Sequence, residues 1–292
     1  MTEKPLNTGG KDASIILICV YMGELPFWMP AFFLSCSYCP EIHWLIISDC
    51  PKPSSIPSNV SYFRLCLDDL NYRFSKALGV NVRITSDYAY KINDLKIAFG
   101  DVFSEEIQEY DFWGYCDLDI VWGSIKSFIN KELLDDYDIV TSRVRRVSGH
   151  FCLFRNSYEI SMMYNYIPNF RKMIVDRKNY AIDEENITNY LFSLLYPNWI
   201  VRLKQLFIKK GLVVPRVYWD SVMTTSGAHQ RALGEGTTRS FLWKNGKVYD
   251  ADHSSELMYI HFHKIKQSMK KINFTYEEQP REFLINREGL FA

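Results

Sequence analysis

Residues 110–123 read YDFWGYCDLDIVWG, an apolar and aromatic run into which two carboxylates, Asp117 and Asp119, are set two residues apart. The run predicts a buried β-strand, and side chains i and i+2 of a strand point to the same side. Two carboxylates that face the same way repel each other unless a cation lies between them. The pair therefore predicts a divalent metal that carries a diphosphate. The structural alternative is two strand-end acids that cap a helix or bind an arginine.

The composition allows a large core and favours no nucleic-acid partner. The chain has 292 residues, of which 47% are hydrophobic, enough for one elaborated domain or two closely joined lobes. Lysine plus arginine and aspartate plus glutamate both number 34, so the formal net charge is zero and no global field attracts nucleic acid. No apolar stretch is long enough for a signal peptide or a membrane span, and residues 1–13 predict a disordered polar tail.

The seven cysteines predict reduced thiols. Their number is odd, and several lie inside apolar runs. Cys36-x-x-Cys39 is the single close pair, and neither a second such pair nor a His-x-x-x-His partner accompanies it, which argues against a zinc site. Because reduced thiols are typical of the cytosol, we expect a cytoplasmic protein.

The order of apolar segments predicts an α/β fold with a mostly parallel central sheet flanked by helices. Residues 14–21 and 41–49 are apolar on both faces, which is typical of buried parallel strands. These two strands begin a Rossmann-like pattern, which continues with a strand at 60–65 and helices at 27–37 and 68–78. The Gly-x-Gly-x-x-Gly fingerprint of dinucleotide-binding proteins is absent from the sequence.

The rest of the chain is predicted to contain both strands and helices, with β-structure towards its end. The patterns predict strands at 138–142, 149–155 and 257–263, an Asn-Gly hairpin at 241–249, and helices at 88–103, 124–133, 156–166, 170–176, 181–196 and 201–210.

Two histidines of the late strand, His261 and His263, are the next candidate ligands. Residues two apart on a strand share a face, so both rings are expected on one side. With Asp117 and Asp119 they form an oxygen and nitrogen set suited to Mn²⁺ or Mg²⁺. A pair of half-buried strand histidines that bind no metal is equally compatible with the pattern, and the basic run after them, 264–271, offers positive charge to phosphate.

Acids at the start of the helix at 181–196 form a third candidate group. The helix dipole alone explains Asp183, Glu184 and Glu185 in a first turn, and the sequence favours this explanation. The functional alternative makes one of them a general base for an attacking hydroxyl.

Charged residues in the helix at 88–103 and a glycine turn complete the candidates. Two interpretations are open for Lys91, Asp94 and Lys96 and for the basic loop at 143–146. They form solvated surface, or some of them contact a nucleotide or phosphate. The turn at Gly149-His150 precedes a strand, where glycine permits close approach of a ligand or forms only the turn. No Ser/His/Asp or Cys/His nucleophile set and no Gly-x-x-x-x-Gly-Lys-Ser/Thr phosphate loop is present in the sequence.

Taken in order, these blocks resemble a family of bacterial polysaccharide glycosyltransferases with the GT-A fold and a DxD motif, of the capsule and O-antigen type. The blocks are KINDLKIAFG at 91–100, DFWGYCDLD at 111–119, SGHFCLFRN at 148–156, Asp183-Glu184, and YIHFHK at 259–264. The resemblance covers about residues 14–268, and the combination is more specific than any single block.

The resemblance implies a metal-dependent hexosyltransferase of the inverting type. It would move a sugar from a nucleotide-sugar donor, most often a UDP-sugar, to a lipid-linked glycan acceptor in surface polysaccharide synthesis. Asp119 would be the main ligand of Mn²⁺ or Mg²⁺, Asp117 would face the ribose or share the metal, and His261 or His263 would be the C-terminal ligand. Asp183 or Glu184 resembles the catalytic base. Residues near the nucleotide or lining the donor or acceptor pocket would be Lys91, Asp94, Lys96, Gly149 and His150.

The resemblance also implies one GT-A-like domain over residues 14–292, with a nucleotide-binding half to about 123 and an acceptor half from about 124. The basic segments 201–210 and 264–271 predict contact with the anionic inner face of the membrane. Two alternatives stay open. One is a non-catalytic subunit that binds nucleotide sugar, and the other is a sugar nucleotidyltransferase. The latter needs a Gly-rich phosphate loop after the first strand, and the sequence has MGELP at that place, residues 22–26.

Overall fold

The structure is a computed structural model that describes residues 12–195, 214–220, 223–224 and 240–292. The predicted tail at 1–13 lies outside the described residues except for its last two, and the predicted basic helix at 201–210 lies wholly outside them. No helix within these ranges combines the length and apolar character that a membrane crossing requires.

The first eight strands of the described residues build the centre of the fold. They are β1 (Ile15–Tyr21), β2 (Ile42–Ser48), β3 (Val60–Arg64), β4 (Phe112–Cys116), β5 (Ile120–Trp122), β6 (Ile139–Thr141), β7 (Phe151–Arg155) and β8 (Val217–Trp219). All except β5 join one seven-stranded sheet in the order β3-β2-β1-β4-β7-β6-β8. Strand β7 is antiparallel to both of its neighbours, while the other pairs of this sheet are parallel. The predicted α/β class with a mostly parallel central sheet is confirmed.

Both faces of this sheet are covered, which explains why its strands show no alternation of apolar and polar residues. Along β1, Ile16 and Ile18 pack into one hydrophobic cluster. The intervening residues Ile15, Leu17 and Cys19 pack into a second cluster on the opposite face. Strands β1 to β4 come from the predicted nucleotide-binding half and β6 to β8 from the predicted acceptor half, and that division stays a prediction.

The α-helices lie around this sheet. Their bounds are α1 (Met29–Ser37), α2 (Leu67–Leu78), α3 (Phe99–Val102), α4 (Ser104–Ile107), α5 (Ile125–Phe128), α6 (Lys131–Asp136), α7 (Tyr158–Ser161), α8 (Phe170–Val175) and α9 (Ile187–Leu195). Two 3₁₀ helices, Ser86–Ala98 and Met163–Tyr166, and one π-helical turn, Ile182–Asn186, complete the helical segments of the described residues.

The helix predicted at 88–103 is in fact mostly the 3₁₀ helix 86–98, followed by α3. A 3₁₀ helix brings residues three apart onto one edge. Lys91 and Asp94 are three apart and nearly wholly buried, and they bond to each other at 2.8 Å. This buried pair favours the tighter winding over the α-helix that the apolar pattern predicted.

Three other predicted helices also differ. The helix at 181–196 begins as the π-helical turn, in which the backbone N–H of Ile187 donates to the carbonyl of Ile182, five residues earlier. The helices at 124–133 and 156–166 are each divided into two short segments. Hydrophobic periodicity does not locate such breaks, since the residues on both sides of a break stay buried.

The C-terminal strands are β9 (Phe241–Lys244), β10 (Lys247–Tyr249), β11 (Glu256–Leu257), β12 (Tyr259–His261), β13 (Lys271–Ile272), β14 (Glu282–Ile285) and β15 (Gly289–Phe291). All except β12 form a second sheet in the order β11-β10-β9-β14-β15-β13. The predicted hairpin is confirmed, and its turn residues Asn245 and Gly246 have φ values of 47° and 80°. Strand β12 instead pairs antiparallel with β5, and this pairing places His261 opposite Ile120.

The order in which the chain adds strands defines where a ligand site belongs. From β1 the chain adds β2 and β3 on one side and then returns to add β4 on the other side of β1. A reversal of this kind in an open α/β sheet leaves a crevice at the carboxyl ends of the two central strands, where ligands bind. The bend that carries Asp117 and Asp119 follows directly on the carboxyl end of β4.

Candidate functional site

The DxD pair lies in a short bend between β4 and β5, and both sides of that bend are tied down. The Asp117 N–H donates to the carbonyl of His150 at 3.1 Å, and the Asp119 carbonyl accepts from the Phe262 N–H at 3.1 Å. The apolar strand β4 ends at Cys116, so the two acids lie in the bend after the strand and not on its face, which differs from the single strand that the sequence predicted for this run.

The β5–β12 ladder brings His261 to these acids from the far end of the chain. His261 Nε2 lies 3.2 Å from Asp119 Oδ1 and 3.9 Å from Asp117 Oδ2. Each of the three residues offers one ligand atom, and these atoms all lie within 4.8 Å of one another. Within the described residues this is the one cluster of histidine, cysteine or acidic side chains with the spacing of a metal site.

Two lysines neutralise the two carboxylates. Lys266 Nζ donates to Asp119 Oδ2 at 2.7 Å, and Lys96 Nζ donates to Asp117 Oδ1 at 2.5 Å and to the Gly149 carbonyl at 2.7 Å. Burial by itself would raise the pKa of Asp119, but His261 and Lys266 hold it well below its usual range. Burial would likewise lower the pKa of Lys96, yet the neighbouring carboxylates, Asp117 foremost, raise it.

Lys266 was not among the site residues predicted from sequence. The signal for it was the basic run after the late strand, but that run did not distinguish Lys266 from its exposed neighbours. In the structure the Lys266 side chain is 39% exposed and lies beside Asp119, at the rim of the site. Its position, charged and partly open to solvent, suits contact with an anionic ligand.

A pocket of about 430 Å³ opens beside the cluster, in the crevice between the ends of β1 and β4. Its volume falls in the range of small-molecule sites. Asp117, Asp119 and Lys266 form its polar part, and aromatic and apolar side chains form the rest, among them Tyr21, Met22, Trp28, Tyr90 and Ile92. The pocket therefore joins an apolar surface to a charged end that holds the metal-type cluster.

Three imidazole rings are stacked beside Asp119. The rings of His150 and His261 have centroids 3.9 Å apart, and those of His261 and His263 are 4.4 Å apart. His263 lies beyond the end of β12 and outside the three-residue cluster. Burial, with some contribution from His261, lowers the pKa of His263 to about 4, and burial lowers the pKa of His150 well below its usual value.

The π-helical turn places Asp183 and Glu184 against Gly149. A Cβ added to Gly149 would lie 2.6 Å from Asp183 Oδ2 and 2.8 Å from Glu184 Oε1, so the close approach requires glycine. Burial, reinforced by the Glu184 and Asp117 carboxylates and opposed by Lys96, raises the pKa of Asp183 to about 7. Asp183 is only 6% exposed. Its position therefore is not explained by the helix dipole alone, which was the explanation that the sequence favoured.

Glu184 has a different environment from its neighbour. Its carboxylate accepts from the Gly149 N–H at 3.3 Å and lies 2.6 Å from Arg146 Nη2 and 3.6 Å from Arg143 Nη1. The basic loop predicted at 143–146 therefore contacts this acid rather than standing free in solvent. The two arginines hold Glu184 in place beside the turn.

Lys91 and Asp94 stand behind the site rather than in the pocket. Lys91 Nζ donates to Asp94 and to the backbone carbonyls of Met173 and Lys178. Asp94 accepts from the backbone N–H groups of Tyr180 and Ile182. The buried pair thus holds the loop that leads to Asp183, while its predicted contact with a nucleotide stays a prediction.

Comparison with known proteins identifies a family and distant structural likenesses. A family model described as a family of unknown function (DUF6625) matches residues 17–292. No curated protein matches the sequence.

Among solved structures, the galactosyltransferase LgtC, in complex with donor and acceptor sugar analogs, is 11% identical, with 76% of this chain and 92% of LgtC covered and a TM-score of 0.33. The glycosyltransferase GlyE of Streptococcus pneumoniae TIGR4 is 9% identical, with 63% and 44% covered and a TM-score of 0.32. Mouse xyloside xylosyltransferase 1 is 10% identical, with 56% and 72% covered and a TM-score of 0.34. At such scores the superposition is loose, so function has to be argued from the residues of the site.

Proposed function

The chain belongs to the family of unknown function DUF6625. We propose that it is a metal-dependent glycosyltransferase that uses a nucleotide-sugar donor. One observation carries this proposal. Asp117, Asp119 and His261 converge beside a pocket at the point where the strand order of the main sheet reverses. A carboxylate pair and an imidazole next to an apolar pocket match the two ends of a metal-bound nucleotide diphosphate.

The residues present fit a divalent metal. Two carboxylates and one imidazole, with ligand atoms within 4.8 Å of one another, form an oxygen and nitrogen set suited to Mn²⁺ or Mg²⁺. His261 belongs to this set and His263 does not, so we assign the C-terminal ligand to His261. When bound, the metal would stabilise the negative charge that grows on the leaving diphosphate.

The charges of the site support the joint binding of metal and diphosphate. Lys96 and Lys266 already balance Asp117 and Asp119, so a divalent cation alone would leave an excess of positive charge. A diphosphate alone would meet two carboxylates. With both bound, their charges would cancel, and the Lys266 ammonium would be able to exchange Asp119 for a phosphate oxygen and stabilise the leaving group.

Of the two candidate bases, Asp183 suits proton transfer better than Glu184. A carboxylate with a pKa of about 7 is half ionised at neutral pH and still basic enough to accept the proton of an acceptor hydroxyl. The Glu184 carboxylate is already engaged by Arg146 and by the Gly149 N–H, so it is less free to meet an acceptor hydroxyl. In this mechanism Asp183 deprotonates the acceptor, Glu184 fixes the turn, and the reaction inverts the anomeric centre.

The donor and acceptor classes extend the same proposal. The donor is a UDP-sugar and the acceptor a lipid-linked glycan of bacterial surface polysaccharide, as the resemblance in the motif blocks implies. The cationic segment at 264–271, which is partly exposed, would then face the anionic membrane surface. Liposomes with and without anionic lipid at low salt test this contact, and equal recovery of the protein with both would exclude it.

The function is tested with a panel of UDP-sugars in the presence of Mn²⁺, measuring both UDP release and sugar transfer. We expect turnover by the native chain and a loss of at least about 100-fold in Asp119→Asn, because one charged ligand is removed. Asp136→Asn, at an exposed acid on α6, is the matched control and should leave turnover unchanged. Full activity in a folded Asp119→Asn variant would contradict the mechanism, and donor binding without turnover would favour a non-catalytic subunit.

A further inference from the structure

We propose that His150 is a positioning residue that holds both arms of the metal cluster, its backbone fixing Asp117 and its imidazole fixing the ring of His261. This inference rests on the proposed function because that function requires the metal. The contacts of His150 that it describes are all between residues of the protein.

The first arm is the backbone contact. The carbonyl of His150 accepts from the N–H of Asp117 at 3.1 Å, immediately after β4 and β7 end their ladder at Cys116 and Phe151. This bond continues the strand pairing by one step and fixes the position at which the first acid of the pair leaves the sheet. Any residue at this position would supply that carbonyl, so the side chain must be argued separately.

The second arm is a flat contact between two rings. The imidazoles of His150 and His261 have centroids 3.9 Å apart and planes inclined by 23°, which is a stacked arrangement. His150 is only 4% exposed, so its ring forms a fixed surface beneath His261 rather than a wall of the pocket. Rotation of the His261 ring away from Asp119 would break this stack as well as the contact of 3.2 Å between Nε2 and Oδ1.

Buried hydrogen bonds keep the His150 ring in place on both sides. The Tyr259 hydroxyl donates to Ser142 Oγ, so it accepts from His150 Nε2, to which it lies at 2.8 Å. His150 Nδ1 is then left to accept from the Ser148 hydroxyl at 3.0 Å. A single neutral tautomer satisfies every member of this chain, and all four residues are 4% exposed or less.

The network also explains how one residue links distant parts of the chain. Tyr259 belongs to β12, two residues before His261, whereas Ser142 and Ser148 flank the loop between β6 and β7. His150 therefore sets the position of β12 relative to the DxD bend. Residues that orient metal ligands in this manner typically change metal affinity by about 10- to 100-fold when they are replaced.

A donor-contact role for His150 makes a different prediction. A residue that touches the nucleotide or sugar changes donor affinity whether or not metal is present, and leaves the ring of His261 undisturbed. A positioning residue changes the affinity for Mn²⁺ and the order of the His261 ring, and affects the donor only through the metal.

The test compares His150→Ala, His150→Phe and His150→Gln with the native chain. Mn²⁺ affinity is measured without nucleotide by electron paramagnetic resonance, and UDP affinity is measured without metal. We expect the Mn²⁺ dissociation constant of His150→Ala to rise about 10- to 100-fold with UDP affinity unchanged. His150→Phe keeps the flat ring but loses the hydrogen bonds to Tyr259 and Ser148, so it should recover part of the affinity, whereas His150→Gln, which keeps polar atoms but no ring, should recover less. His43→Phe, at a half-buried histidine of β2, is the control and should match the native chain.

A second readout needs no metal. The chain has six histidines, so the His261 ring can be assigned in proton–carbon correlation spectra of the metal-free protein. We expect its signals to shift and broaden in His150→Ala and to shift less in His150→Phe, which keeps the stacked ring. If the native chain bound no Mn²⁺ either with or without UDP, the proposed function would fail while these spectra still decided the role of His150.

Three results would overturn the inference. They are an unchanged His261 spectrum in folded His150→Ala, an equal loss of metal-free UDP affinity and Mn²⁺ affinity, or equal Mn²⁺ affinities in the Phe and Gln variants. If His150→Ala fails to fold, the comparison of the Phe and Gln variants decides the question alone.

Discussion

Replacing Asp183 by asparagine should stabilise the fold and abolish transfer at the same time. The carboxyl group is 6% exposed, and burial together with the neighbouring carboxylates raises its pKa to about 7. In the unfolded chain its pKa returns to about 4. Between these values the folded protein binds the proton more tightly than the unfolded chain, so stability falls as the pH rises through this window and is constant above it.

The magnitude follows from the size of that shift. One pKa unit corresponds to 1.36 kcal/mol, so a shift of about three units makes the ionised carboxylate cost about 4 kcal/mol of folding free energy at pH 8. At pH 5 the cost is about 1.4 kcal/mol, because the proton is still mostly bound in the folded state. Asparagine has nearly the same shape and does not ionise. The advantage of Asp183→Asn should therefore grow by roughly 2–3 kcal/mol between pH 5 and pH 8.

Urea denaturation of both proteins at pH 5, 6, 7 and 8 measures this difference, and transfer assays on the same samples measure activity. Glu185→Gln, which changes a 62%-exposed acid two residues away, is the matched control and should show no pH-dependent gain. Native activity should rise with pH up to about pH 7 as Asp183 ionises. A stability difference that is the same at every pH would refute the burial argument, and an active Asp183→Asn variant would refute its role as the base.

Three further outcomes are expected. In calorimetric titrations, Lys266→Met should bind Mn²⁺ more tightly without UDP and bind UDP more weakly. It should also lose most of the mutual enhancement between the two ligands. Lys264→Met is the control, and an unchanged enhancement in Lys266→Met would contradict the charge argument. Lys91→Met leaves the Asp94 carboxylate buried without its ammonium and should destabilise the fold by about 3–5 kcal/mol in urea denaturation; a loss below about 1 kcal/mol would show that the backbone donors suffice. Gly149→Ala should lower kcat at least about 10-fold with little change in UDP affinity, because the added methyl displaces the Asp183 carboxylate; native kcat would contradict the close approach.

The strand core and the acidic pair could be predicted because their signals are local. β1, β2 and β4 are short apolar runs, and the position of Asp117 and Asp119 at the end of such a run needs no knowledge of distant residues. The expected strand around His261 was also local. Its pairing with β5 was not, since any two strands of similar character can pair, and that pairing alone brings His261 within 3.2 Å of Asp119.

The features that sequence reasoning missed depend on tertiary contacts. Lys91 and Asp94 have the composition of a solvated helix face, yet they are buried because four backbone groups of the distant segment 173–182 complete their hydrogen bonds. Asp183 has the pattern of an ordinary first-turn acid, and its raised pKa arises from burial that only the folded chain creates. The antiparallel direction of β7 leaves no trace in composition, because its residues are as apolar as those of the parallel strands in the same sheet.

The β5–β12 pairing has a consequence for the synthesis of the chain. Strands β1 to β4 leave the ribosome long before residues 259–266, and N-terminal segments generally begin to fold first. Until β12 arrives, the Asp119 carboxylate lacks the imidazole and the ammonium that neutralise it in the finished protein. A nascent chain that stops short of residue 259 can hence build most of the main sheet but not the cluster of Asp117, Asp119 and His261. Under the proposed function, such a chain would not turn over a sugar nucleotide until residues 259–266 have been made.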